Sequence, residues 1–284
     1  YQPLDVAQRF FVEPKMFLTR SWEDVFLDSE RLARYRFSDL GGKVDLGVNL
    51  GDDAQLSVGY LYTRRDASVE TGPGILPETK RTDAGVTLAA TFDSRDTAFN
   101  PTRGVAAALE YMNSDESLGA ELDWQRIELG VALAIPVRKD VVRVTLAGGS
   151  DLDTDLPLDR KFSLGGPGSF PGLELGEQRI TDYWTASGSY LWKIKDLMSI
   201  RGQALYAGIR LTAGQASGSL EELVIPQYDD DAMIYGGSLY IAGRTAAGPL
   251  TVGLGATSTD SWALWVAVGR PIGNGTILER GIFR

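Results

Sequence analysis

Alternate aspartates stand out first: Asp151, Asp153, Asp155 and Asp159 fall in the stretch DLDTDLPLDR. Such spacing lets a loop turn several carboxylates toward one hard cation. The match to a helix-loop-helix calcium site fails at two places. Its sixth position is Leu156, where the sharp turn needs glycine, and its twelfth is Phe162, where a bidentate glutamate would close the shell. The stretch therefore reads as a solvated acidic loop, with Asp151, Asp153 and Asp155 as weak metal candidates and no cofactor expected. Two further sets carry charge of both signs. Asp93, Arg95 and Asp96 crowd one short segment, while Arg126 and Glu128 stand two apart and so share one face of a strand. Both sets suit a polar network, although a simple structural salt bridge or a charged turn accounts for them equally. Catalysis has little to work with. The chain has no histidine and no cysteine, which excludes a Ser-His-Asp triad, a Cys-His pair and a His- or thiolate-bound zinc. No G-x-S-x-G nucleophile elbow occurs either, so this chain is expected not to be an enzyme.

Composition narrows the class further. A net charge of −10 without a basic cluster argues against nucleic-acid binding. Hydrophobic residues make up 43% of the 284 positions, too many for a disordered chain. No run of 18 apolar residues exists to form a membrane-spanning helix. The start, YQPLDVAQRF, has neither the charged nor the apolar region of a signal peptide, and reads as the start of a mature product or an excised domain.

What positions these residues is a period of two. Ile127, Leu129, Val131, Leu133 and Ile135 share one face of a strand whose other face holds Arg126, Glu128, Gly130, Ala132 and Ala134. Val44, Leu46, Val48 and Leu50 alternate in the same way with Lys43, Asp45, Gly47 and Asn49. Leu56, Val58, Tyr60 and Tyr62 form a third such face, and Trp262, Leu264, Val266 and Val268 a last one. A soluble sandwich would bury these faces and show water a Lys- and Glu-rich one. Here the second face is mostly Gly, Ala, Ser and Thr, and aromatic residues gather at strand ends. Both features fit a membrane barrel with aliphatics toward lipid and small polar residues toward the lumen.

The expected fold is all-β, a closed antiparallel transmembrane β-barrel. Strands are predicted at 10–27, 31–50, 54–67, 80–93, 104–113, 120–137, 141–152, 179–194, 198–213, 231–246, 248–259 and 261–272. That makes about 12, or 16 if the longest segments split. Short connections at Arg138–Asp140, Thr259–Asp260 and Ala247–Pro249 read as turns, and longer ones as loops on the opposite rim. The longest loop holds KFSLGGPGSFPGLELGE, residues 161–177. Its glycines and prolines forbid a helix or central strand, yet it is too apolar for a surface loop. A lumen would bury it, making Leu164, Gly165, Gly166, Phe170, Pro171, Gly172 and Leu173 a packed plug.

Two motifs resemble the Omp85 superfamily of outer-membrane assembly and secretion barrels. Asp93-Ser-Arg95-Asp96 followed by Pro101-Thr-Arg-Gly104 is similar to that family's D-x-R-D…P-x-x-G hairpin, with Pro101 and Gly104 at the turn. Leu164-Gly165-Gly166 before Phe170-Pro171-Gly172-Leu173 resembles its sixth extracellular loop, whose tip folds back into the lumen. The family's tip arginine is Pro171 here, so its salt bridge to an acidic strand residue is not expected; a packed plug replaces the latch. The segment 248–272, Gly-Pro-Leu…Val-Gly-Arg-Pro-Ile, further resembles the barrel of patatin-like (type Vd) autotransporters.

The resemblance implies a location and a role. It places the chain in the bacterial outer membrane as the translocator or anchor barrel of a type V secretion protein with an N-terminal lipase passenger. The alternatives are a stand-alone assembly factor and a passive pore. Residues 1–14 would join a periplasmic module, 15–273 would form the barrel and 274–284 a C-terminal tail. Partners would be outer-membrane lipids and lipopolysaccharide, the covalently linked passenger and module, and the barrel assembly machinery. Asp93, Arg95, Asp96, Arg126 and Glu128 would form a lumenal network. Gly269, Arg270 and Pro271 would weaken the seam between first and last strands, which is compatible with pairing into homodimers.

Overall fold

The computed structural model describes residues 1–27, 30–73, 78–97, 100–196, 204–218, 233–245, 248–268 and 277. Its strands are β1 (Gln2–Pro3), β2 (Phe10–Leu27), β3 (Glu30–Leu50), β4 (Ala54–Thr71) and β5 (Thr79–Asp93). Then come β6 (Gly104–Ser114), β7 (Trp124–Val137), β8 (Asp140–Ser150), β9 (Phe162–Leu164) and β10 (Gln178–Ile180). Last are β11 (Asp182–Asp196), β12 (Ala204–Ser217), β13 (Ile234–Thr245), β14 (Gly248–Thr257) and β15 (Trp262–Val268). Thirteen of them form one sheet in which neighbours follow chain order; β9 and β10 pair separately as a small hairpin. The long strands coincide with the segments that alternate in sequence, and β2, β3 and β4 run unbroken where a split would have raised the count.

Alternation becomes a two-faced wall through the register. Leu46, Val58 and Leu88 stand side by side on β3, β4 and β5. They are 53%, 47% and 43% exposed, although each would favour burial by about 1.5–3 kcal/mol in water. The next row, Asp45, Gly59, Thr87, Met112 and Arg126, faces the other way, and Asp45 is 3% exposed. Charge inside and aliphatics outside is the inverse of a soluble domain, and lipid is the solvent that makes it favourable.

The sheet curls. The long connection between β8 and β11 contacts β2 through Arg179 and Glu23, and β14 through Pro171 and Gly255. One loop reaches strands at both ends of the sheet only if the sheet rolls around it. Direct pairing of the first and last strands is not present among the described residues. The proposed seam, Gly269, Arg270 and Pro271, lies outside them.

Two features differ from the sequence reading. The tight turn at Thr259–Asp260 lies on the rim of the long loops, because β14 and β15 meet there. Second, β2–β4 exceed the roughly 9–11 residues that cross a bilayer, and the chemistry of their two faces inverts beyond Leu40 while the alternation itself continues. Arg34, Arg36 and Ser38 point outward there, while Ala33, Tyr35 and Phe37 join Val25 and Ala67 in an inner apolar cluster. Above the membrane, water restores the soluble arrangement.

Candidate functional site

The connection between β8 and β11 folds into the lumen. Its two arms are β9 and β10, paired Gln178 to Leu164, Arg179 to Ser163 and Ile180 to Phe162. The glycine-rich tip between them closes on itself. The Gly165 N–H donates to Ser169 Oγ at 2.9 Å, Gly166 N–H to the Leu173 carbonyl at 3.0 Å, and Glu174 N–H to Glu177 Oε2 at 2.7 Å. These bonds satisfy backbone groups that burial would otherwise strand.

Apolar packing holds the tip against the wall of the later strands. Leu164, Phe170 and Leu173 are buried in one cluster with Phe162, Ile180, Tyr183, Trp124, Ala216 and Ile234. Opposite them the wall carries glycine. A Cβ at Gly255 would stand 2.3 Å from the Pro171 carbonyl oxygen, and one at Gly214 would stand 2.9 Å from Cζ of Phe170. Absence of a side chain on the wall is what admits the loop. Arg210 adds a polar clamp from β12, donating to the carbonyls of Pro167 (3.2 Å) and Gly168 and to Ser187 Oγ at 2.8 Å.

The base of the loop is held by charge. Arg160 donates through Nε to Asp83 Oδ2 at 3.0 Å and also through Nη2. Asp83, wholly buried on β5, accepts from Arg81 Nε at 2.7 Å. Asp159 accepts from Arg81 Nη2 at 2.7 Å and from Arg65 Nη1 at 3.0 Å, while Arg65 forms a two-pronged pair with Asp39 at 2.6 and 2.7 Å. Three guanidinium groups thus meet three carboxylates, and the cluster is neutral. Burial pushes the Asp159 carboxyl upward, but the hydrogen bond and charge of Arg81, with the charges of Arg65 and Arg160, hold it below its ordinary value. Such an arrangement does no proton chemistry; it locks a loop to a wall.

Arg126 and Glu128 belong to the same assembly. Arg126 Nη2 donates to Glu128 Oε2 at 3.0 Å, its Nη1 to the Arg160 carbonyl at 3.2 Å, and its guanidinium sits 4.1 Å from the centroid of Phe162. Glu128 Oε1 accepts from Tyr183 Oη at 2.7 Å and from the backbone N–H of Ile277 at 3.0 Å. Ile277, buried beside Ala108, brings one residue of the C-terminal tail to the lumenal wall. The rest of the tail lies outside the described residues.

Asp93, Arg95 and Asp96 are placed elsewhere, Asp93 as the last residue of β5 and the other two in the turn that leads to β6. Asp93 holds Arg95 by a two-pronged pair at 2.8 and 2.7 Å, and Asp96 accepts from the Thr102 N–H at 2.9 Å and from its hydroxyl. Arg143 donates to the carbonyl of Pro101 at 3.1 Å from the neighbouring wall. Gly104 has φ of 110°, and a Cβ there would meet the Ser94 carbonyl oxygen at 2.5 Å. Asp151 Oδ1 accepts the N–H of Asp153 at 3.1 Å, closing a turn, and Asp153 and Asp155 are exposed. No group of three metal-ligating side chains converges among the described residues.

Arg65, Arg81, Asp83, Asp159 and Arg160 were not singled out from sequence as a loop lock. For Arg65, Arg81 and Asp83 the available signal was charge on the lumenal face of strands, where burial beneath a loop requires a partner. Asp159, grouped with the acidic loop, is buried among arginines.

Comparison with known proteins agrees with this geometry. A sequence profile of the Omp85 superfamily domain matches residues 7–220, most of the chain. No curated protein sequence matches the chain. Among solved structures it resembles BamA from Haemophilus ducreyi lacking POTRA domains 1–3, with a TM-score of 0.70 and 13% identity over 93% of this chain and 59% of that one. CdiB from Acinetobacter baumannii is also similar, with a TM-score of 0.61 and 11% identity over 92% and 47% of the two chains. The chain thus spans about half the length of these relatives.

Proposed function

Because the chain belongs to the Omp85 superfamily of bacterial outer-membrane β-barrels, whose members are translocators or assembly factors, we propose that it is the translocator and anchor barrel of a type V secretion protein. The observation that supports this most directly is a loop folded into the lumen, clamped by charge at Asp83 and by packing at Gly255. A passive pore gains nothing from such a plug. A translocator needs a barrel that is sealed at rest and opens when a polypeptide engages it.

The passenger we assign is a patatin-like lipase, on the resemblance of residues 248–272 to barrels of that subclass. This barrel itself supplies insertion, display and a sealed wall, and the hydrolytic groups belong to the passenger. Planar-bilayer recording tests the barrel part: rare, flickering openings are expected, and steady large channels would refute a plugged translocator. The encoding reading frame tests the passenger, since a patatin-like module carries G-x-S-x-G, and a frame without one removes the lipase assignment.

A further inference from the structure

The outer wall of β2–β5 changes character over four rows. Moving toward the long-loop rim, Met16, Gly42 and Tyr62 form one row, and Leu18, Leu40 and Arg64 the next. Arg20, Ser38, Asp66 and Lys80 follow, then Trp22, Arg36 and Ser68. At roughly 3.4 Å per residue and 4.8 Å per strand, the basic side chains fall within a patch about 15 Å across. Arg20, Arg36, Arg64 and Lys80 are all exposed. Two of them have surface partners: Arg36 donates to Ser68 Oγ at 3.1 Å, and Lys80 pairs with Asp66 at 3.0 Å. Glu121 lies at the edge of the same groove.

Two facts point to an occupant. The patch is cationic in a chain whose net charge is −10. It also begins where the lipid-facing band ends: a groove of about 450 Å³ joins Leu18 and Leu40 to Arg64 beside them and Lys80 one row above. On the far wall, the exposed outward residues among those described include Leu211, Tyr235, Leu239 and Trp262, and no described Lys or Arg lies among them on β12–β15. A ligand that meets both halves has an anionic head and apolar tails.

We propose that this patch binds the phosphorylated headgroup of an outer-leaflet lipid, with Arg20, Arg36, Arg64 and Lys80 around the phosphates and acyl chains lying on Met16, Leu18, Leu40 and Tyr62. Guanidinium groups suit phosphate because their paired N–H groups match its oxygens. The site rests on the barrel reading above, since the long-loop rim must face outward.

The test titrates the folded chain in detergent micelles with bisphosphorylated lipid A, with dephosphorylated lipid A and with inorganic phosphate. Bound lipid is counted by native mass spectrometry. Bisphosphorylated lipid A is expected to bind the parent chain and to bind R64Q/K80Q about thirtyfold more weakly, each of the two near-surface cations being worth about 1 kcal/mol. Dephosphorylated lipid is expected to bind the parent at least as weakly as the phosphorylated lipid binds the variant, which keeps Arg20 and Arg36. Equal binding of the two lipids, or by the two proteins, overturns the proposal, as does full displacement by inorganic phosphate. Both substitutions are on the exposed surface, and heat-dependent mobility on gels reports folding separately. Failure of the parent chain to give a heat-modifiable band would instead count against the barrel reading.

Discussion

Arg160 in the lumenal loop and Asp83 on β5, 77 positions apart in the chain, are joined through both Nε and Nη2 of the arginine. The tip arginine expected from the family resemblance is Pro171, yet the loop still carries a salt bridge to the wall. It arises eleven positions earlier, at the base rather than the tip (171 less 160). The tip is then free to pack, and it does so against wall positions that lack side chains. Charge fixes one end of the plug and shape fixes the other.

Removing Asp83 tests the charged end. In Asp83→Ala, Arg81 and Arg160 stay buried without their shared carboxylate, and breaking a buried pair from one side costs about 3–5 kcal/mol. The midpoint of heat-induced mobility shift on gels should fall, and trypsin should gain access to the loop at Arg160 or Lys161. Combining D83A with R160L should recover part of the loss, since no lone charge then remains from that pair.

Acid should release the same lock. Asp159 has its folded carboxyl value depressed below the ordinary 3.8. A depressed value contributes stability that is fully present above the unfolded value of about 3.9 and is lost as pH falls through the lower folded value. Loop protection from protease should therefore be unchanged between about pH 7 and pH 5 and weaken below about pH 4. Asp159→Asn should flatten that acid limb; an unaltered limb would assign it to other carboxylates.

At the packed end, the double variant F170S/L173S removes two buried apolar side chains, at a cost of about 3–5 kcal/mol for the aromatic alone. Gly255→Leu approaches the same contact from the wall, where a Cβ meets the Pro171 carbonyl carbon at 2.6 Å. Each is expected to raise bilayer conductance while the barrel still shifts on heating. Unchanged conductance in both would mean that the tip does not seal the lumen.

Gly104→Ala acts on folding. Its φ of 110° strains any residue with a Cβ, by about 1–3 kcal/mol, and the added carbon also meets Arg95 Cα at 2.6 Å. Folding into lipid vesicles, followed by the heat-modifiable band, should slow or stop short of completion. Thr102→Ala, which removes only the hydroxyl bond to Asp96, should have a smaller effect.

Much of the architecture was legible because its rule is local. A strand in lipid alternates every second residue, so the faces of β3, β4 and β7 could be assigned from Val44–Leu50, Leu56–Tyr62 and Ile127–Ile135 alone. The glycine-rich loop was legible for a similar reason: Phe170 and Leu173 need burial, and a lumen is the available place. Arg126 and Glu128 were read as neighbours because a spacing of two puts them on one face.

The chain order by itself determined which residues face outward, where strands turn, and that one apolar loop must go inside. It could not determine which charges meet. Arg65 and Asp159 are separated by 94 positions and Arg179 and Glu23 by 156, distances over which pairing depends on how far the sheet curls and how deeply the loop enters. The same holds for the exchange of polar and apolar faces beyond Leu40, since period two continues unbroken there. Only the height of β2–β4 relative to the bilayer decides whether an outward residue meets lipid or water, and that height is a property of the assembled wall.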